Sequence, residues 1–213
     1  AEQSSSFQNT SVFCCMKENA KLNHIRIFSS ADEAINISNL YTEQAEGSNY
    51  ECFQFVNSCV LHRSDIYGKL NGVNSSCSLS GLTLSKDKQH SATYINTDHA
   101  KPHCKSSQNF KSILNDMSSG VFNGRTVVQE DSQKTNSRQS NKNLLLSDKA
   151  LMNSNPQLEI YADDVKCAHG STTGALDKEA LFYMQSRGIN KEEASSLLIR
   201  GFASELINEV QHG

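Results

Sequence analysis

Apolar residues come in short runs separated by Ser, Asn and Gly from roughly residue 10 to 165. Residues 50–56 are aromatic and β-branched. Residues 78–84 place Leu82 and Leu84 two apart, and residues 124–128 follow a corner predicted at Phe122, Asn123 and Gly124. Residues 157–162 alternate, with Leu158, Ile160 and Ala162 on one face and Glu159 and Tyr161 on the other. These patterns predict short strands. Further corners are predicted at residues 47–49, 71–72, 74–76, 118–120 and 153–156. The arrangement fits a stacked β-solenoid or a Greek-key sandwich, and no strict repeat period decides between them.

After Gly174 the pattern becomes helical. Asp177 caps a helix through residues 178–184, and Gly188 stands where a helix-terminating glycine belongs. Asn190 and Glu193 resemble a capping box that opens a second helix. That helix is apolar at Ala194, Leu197, Leu198, Ile199, Phe202, Ala203, Leu206, Ile207 and Val210, too many positions for one narrow stripe. The boundary falls at 170, giving a β core over 1–170 and a helical domain over 171–213. Leu198 and Phe202, one helical turn apart, are candidates for partner docking.

Composition narrows the function. The 213 residues include 31 Ser, 20 Asn and 11 Gly, residues that favour turns, but only 2 Pro. Net charge is −3, so no basic stripe suggests nucleic acid, and no apolar run is long enough to span a membrane. The opening residues Ala1, Glu2 and Gln3 carry no leader pattern and read as an internal piece or processed product. Seven Cys without a Cys-x-x-Cys pair favour reduced thiols in the cytoplasm.

The densest chemical cluster runs from Asp163 to Gly170, read as a continuation of the strand over 158–162. On an extended chain Cys167 and His169 share a face, with Cα atoms about 6.6 Å apart. That suits two ligands of one metal or cluster, in a site a partner must complete. A Cys–His nucleophile lacks an identifiable orienting group. Adjacent Asp163 and Asp164 would face opposite ways on a strand, which disfavours an acid/base pair. A second His/Cys group, Asp98, His99, His103 and Cys104, reads as a polar corner. No phosphate-cradling glycine loop occurs.

Residues 157–170 together with Leu181, Phe182, Tyr183 and residues 186–189 resemble the C-terminal signature of the SufB/SufD family of iron–sulfur cluster assembly scaffolds. Residues 98–104, 120–124 and 139–146 are similar to its SufD branch. The resemblance runs from about 10 to 210 and includes no counterpart of the family's N-terminal helical region. It implies a mainly β fold, a right-handed parallel β-helix with a C-terminal α-helical domain. It also implies a non-catalytic scaffold that pairs with a SufB-like subunit and holds a SufC-like ATPase on its helices. A transient iron–sulfur cluster, not held stably by this chain alone, would be shared across the subunit interface. His169 is then the implied ligand, with Cys167 beside it. The alternatives are a β-helix hydrolase or lyase acting on polysaccharide, and a purely structural solenoid that self-associates as a homodimer.

Overall fold

Stretches of nine or ten residues that turn every second side chain inward, Leu40, Tyr50 and Leu79 among them, bury one face only, and such strands must stack on neighbours to close a core. In the computed structural model, which describes residues 6–29, 33–57 and 59–211, they do so as two six-stranded parallel sheets. The odd strands form one sheet in the order β1 (Phe7–Met16), β3 (Ile35–Gln44), β5 (Leu61–Leu70), β7 (His90–His99), β9 (Ser119–Val128) and β11 (Leu151–Ile160). The even strands form the other: β2 (Lys21–Ser29), β4 (Asn49–Asn57), β6 (Ser76–Ser85), β8 (Lys105–Leu114), β10 (Asn136–Leu145) and β12 (Lys166–Ala175). Each coil contributes one strand to each sheet, so the protein is a parallel β-solenoid of about six turns. Strands of the odd sheet begin at residues 7, 35, 61, 90, 119 and 151, so a coil takes 26 to 32 residues.

The corners explain the wealth of Asn and Ser. Asn19, Gly47, Asn74, His103 and Lys134 all have a positive φ, a conformation that Asn and Gly tolerate best. Each donates its N–H to the next coil: Asn19 to Glu46 O, Gly47 to Val73 O, Asn74 to Pro102 O, His103 to Gln133 O and Lys134 to Asp164 O. The residue after several of these corners tucks in and bonds a carbonyl three residues back: Ser48 to Ala45, Ser75 to Gly72 and Thr135 to Ser132. Cys104 occupies the same place in its coil. It is fully buried, its thiol donates to Gly72 O at 3.2 Å and lies 3.3 Å from Ser75 Oγ. The second His/Cys group is therefore a corner of the stack.

Inside the early coils Leu40, Tyr50, Ile66, Leu70, Leu79, Ile95, Phe110 and Phe122 pack into one apolar cluster. Outside the odd sheet Phe13, Tyr41 and Tyr67 stack in a ladder with ring centres 4.8 and 5.0 Å apart. Two expected corners are strand interior instead. Phe122, Asn123 and Gly124 lie within β9, and residues 153–156 within β11. A Cβ on Gly124 would meet Gln108 Oε1 at 2.7 Å and the Phe122 ring at 3.0 Å, so close packing requires the glycine there. Pro156 sits in the outermost strand of its sheet, where a missing donor is best tolerated.

The strand expected to run on from residue 162 breaks instead. Residues 161–165 form a turn that carries the chain from β11 to β12, and the strand then continues past 170 to Ala175. Two helices follow, α1 (Lys178–Ser186) and α2 (Lys191–Gln211). Asp177 caps α1 by accepting from Glu179 N, Gly188 turns the chain with φ +89°, and Asn190 Oδ1 accepts from Glu193 N at 2.8 Å. The inner side of α2 packs on the outer face of the even sheet, with Ile199, Phe202, Ala203 and Leu206 against Leu82, Ile113 and Leu144. Lys111 fixes this contact. Its side chain is 2% exposed, and its ammonium donates to Phe202 O at 2.7 Å and Glu205 Oε2 at 2.6 Å. A buried ammonium is tolerable only with such partners.

Candidate functional site

Register decides which way Cys167 and His169 face. Along the even sheet one inward column reads His24, Cys52, Leu79, Gln108, Gln139, His169. The adjacent column reads Leu22, Tyr50, Cys77, Ser106, Ser137, Cys167. The middle members are buried: Cys52, Leu79, Gln108 and Gln139 in the first, Tyr50, Cys77, Ser106 and Ser137 in the second. Cys167 and His169 therefore continue interior columns on a strand with no further neighbour among the described residues. Cys167 is half-buried and His169 exposed. The structure brings them to one side of one strand, as the spacing predicts.

Beneath them the interior turns polar. His99 Nε2 lies 2.8 Å from Ser106 Oγ, which lies 2.8 Å from Ser137 Oγ, directly under Cys167. Gln108 Nε2 donates to Thr97 and Thr126, and Gln139 Nε2 donates to Thr126 Oγ1 at 2.8 Å. Asn143 donates to Asn141 Oδ1 at 2.7 Å. Such networks hold their members in place when satisfied. Burial pushes the Cys167 thiol above its ordinary pKa, partly offset by a backbone hydrogen bond at Ser137. A raised thiol keeps its proton more firmly, so a metal could bind it only by displacing that proton.

No cluster of three or more His, Cys, Asp or Glu among the described residues could hold a metal. Cys167 and His169 thus supply two donors, short of the four that a tetrahedral centre takes. Asp163 and Asp164 lie in the turn before β12, where the Lys134 ammonium pairs with the Asp164 carboxylate and Asp164 N donates to Gln133 Oε1. Phe202 turns its ring inward, 4.7 Å below the Lys111 ammonium, and Leu198 is half-buried. Outward-facing apolar surface on the helices comes instead from Phe182, Tyr183, Leu197 and Ile207. Gln139 and Ser137 carry no local signal in the sequence that marks them as site residues. Register places them thirty residues before His169 and Cys167, one coil earlier, and a recognised coil length would have found them.

The class that the fold defines is a parallel β-solenoid, and its interior columns end at the last strand in a thiol and an imidazole. Residues 1–202 match the family described as "SUF system FeS cluster assembly, SufBD core domain". The iron–sulfur cluster assembly protein SufD of Escherichia coli is 36% identical over 188 residues, covering 88% of this chain and 44% of that protein. A SufBD family iron–sulfur cluster assembly protein of Synechocystis is 32% identical over 209 residues, covering 98% and 46%. The SufD of Bacillus subtilis is 40% identical over 98 residues, covering 46% and 22%. The chain belongs to the SufBD core family of the SUF system. It spans less than half the length of these relatives. No helix among the described residues is long and apolar enough to cross a membrane.

Proposed function

We propose that this chain is a non-catalytic scaffold subunit of an iron–sulfur cluster assembly complex, working in the cytoplasm. Its β11–β12 rim takes a SufB-like subunit, and a nascent cluster, the cargo, forms between them. His169 supplies the imidazole ligand from this side, with Cys167 beside it. The observation that carries this reading is that both donors end interior columns on a strand whose outer edge is unpaired among the described residues. An unpaired parallel edge favours strand pairing, and a partner strand would bring the missing ligands within reach. The chain holds no cluster stably by itself on this reading, since two donors do not close a coordination shell.

The test is anaerobic co-expression with the SufB-like scaffold and the SufC-like ATPase, followed by iron and sulfide analysis. His169→Ala should lower cluster content several-fold while co-purification of the scaffold and the circular dichroism spectrum stay unchanged. Full cluster content in that variant would refute the assignment.

The ATPase docks on the outward side of α1 and α2 in this reading, where apolar side chains are exposed. Leu197→Asp, next to the half-buried candidate Leu198 and itself on the exposed side, should reduce ATPase capture at least several-fold in a pull-down while the solenoid melts at its usual temperature. Undiminished capture would move docking elsewhere. Phe202 is the poorer probe, because its ring also packs α2 on the even sheet, and its loss would disturb both contacts.

A further inference from the structure

Gln139 is an interior residue with one half of its amide accounted for. It is 2% exposed. Its Nε2 donates to Thr126 Oγ1 at 2.8 Å and to Gln157 O at 3.4 Å. A backbone carbonyl only accepts, so this end of the amide must be the NH2, and the orientation follows from the network. Oε1 is turned away from those two acceptors. It is shielded from solvent and has no hydrogen-bond partner. A buried carbonyl without a donor costs free energy, and such exceptions call for an explanation.

The register supplies a donor. Gln139 and His169 are direct partners on β10 and β12, both on the inward side, with Cα atoms about 4.8 Å apart. The His169 ring can turn to bring one N–H onto Oε1. Ligating histidines ordinarily donate their second ring N–H to a carbonyl or carboxylate, which fixes the tautomer and the ring plane. We propose that Gln139 is the positioning residue for His169: Oε1 accepts one ring N–H and leaves the other nitrogen as a lone-pair donor facing the rim. Thr126 and Gln157 hold the amide so that the carbonyl end faces the imidazole. The inference rests on the reading of His169 as a ligand, yet it concerns a bond that forms within this chain.

Nitrogen-15 NMR of the imidazoles in the isolated, full-length chain reads the tautomer directly. The parent protein should show His169 locked in one tautomer. Gln139→Met removes the acceptor at similar volume and should give a mixture of tautomers. Gln139→Glu keeps an acceptor in place and should restore the locked form. An unchanged His169 spectrum in Gln139→Met would overturn the proposal. Where Gln139→Met fails to fold, seen as loss of the buried His99 signal, Thr126→Val frees the amide and makes the same test. A fully active His169→Ala complex would defeat the ligand reading and leave the hydrogen bond standing. A cluster-deficient His169→Ala with unaltered tautomer in Gln139→Met would do the reverse.

Discussion

Gly72→Ala should abolish the folded solenoid or leave it barely stable, with a loss above about 4 kcal/mol. Gly72 lies at the corner between β5 and β6. A Cβ built there would fall 1.9 Å from Glu46 N, 2.2 Å from Ala45 C and 2.5 Å from Glu46 Cα. All three are backbone atoms of the coil before, so no side-chain rotation relieves the overlap. The corner must open, and opening it breaks several bonds at once. Gly72 N and Asn71 N both donate to Gln44 O at 2.9 Å, Gly47 N donates to Val73 O at 2.9 Å, and Gly72 O accepts from both Ser75 and Cys104. Domains of this size hold about 5–15 kcal/mol in total, so a single corner can consume most of it. A urea titration followed by circular dichroism measures the loss. Gly170→Ala and Gly174→Ala are the controls, because an added Cβ meets nothing within 4 Å at either position. They should leave the midpoint of the isolated chain within about 0.5 kcal/mol of the parent. A Gly72→Ala protein as stable as these controls would show that the coils slide past one another freely at their corners.

The sequence made the strands over 50–56 and 78–84 and both helix starts legible, because each rests on local chemistry: alternation in one case, a capping side chain in the other. The coil repeat was hidden for two physical reasons. Coils differ in length by up to six residues, so no fixed period survives. Interior positions are also filled by Ser, Thr, Gln and Asn that bond one another, as the Gln108 and Gln139 amide N–H groups do with Thr97 and Thr126, and such residues look like loop from sequence alone. The same masking misread Phe122–Gly124 and residues 153–156 as corners. The Cys167–His169 pair was legible as a two-residue spacing on a strand. Its placement in the even sheet was not, since that depends on the Lys134–Asp164 corner turning the chain at residues 161–165. What stands beneath the pair is a matter of register between strands thirty residues apart, and no local pattern encodes it.

Lowering the pH from 6.5 to 5 should destabilise the protein by about 2 kcal/mol for each of two buried histidines. His62 and His99 are both 0% exposed. Burial drives each imidazole down to a pKa of about 4, with the nearby Arg26 charge adding to the effect on His62 and the Asp98 carboxylate opposing it on His99. His62 has no hydrogen-bond partner on either ring nitrogen and lies against Phe28 at 4.7 Å, and His99 has one only at Nε2. The imidazolium form is therefore poorly accommodated in the folded chain. The unfolded chain takes up protons as the pH falls through 6.5, whereas the folded chain does so only near 4. Stability is thus fully present above 6.5, falls through the window between, and has lost about 3 kcal/mol per histidine by pH 4. The Glu159 and Glu205 carboxyls are held below their ordinary values by Arg125 and Lys111, so the stability they add is kept down to the ordinary carboxylate range and is lost only below it, in the same direction as the histidine effect; the slope between pH 7.5 and 5.0 reports the histidines. Urea midpoints at pH 7.5, 6.0 and 5.0 measure it. His99→Gln keeps a polar partner for Ser106 and should remove about half of the slope. A parent protein equally stable at pH 7.5 and 5.0 would mean that water or a rearranged interior reaches these rings, and the polar column leading to Cys167 would then be open along its length.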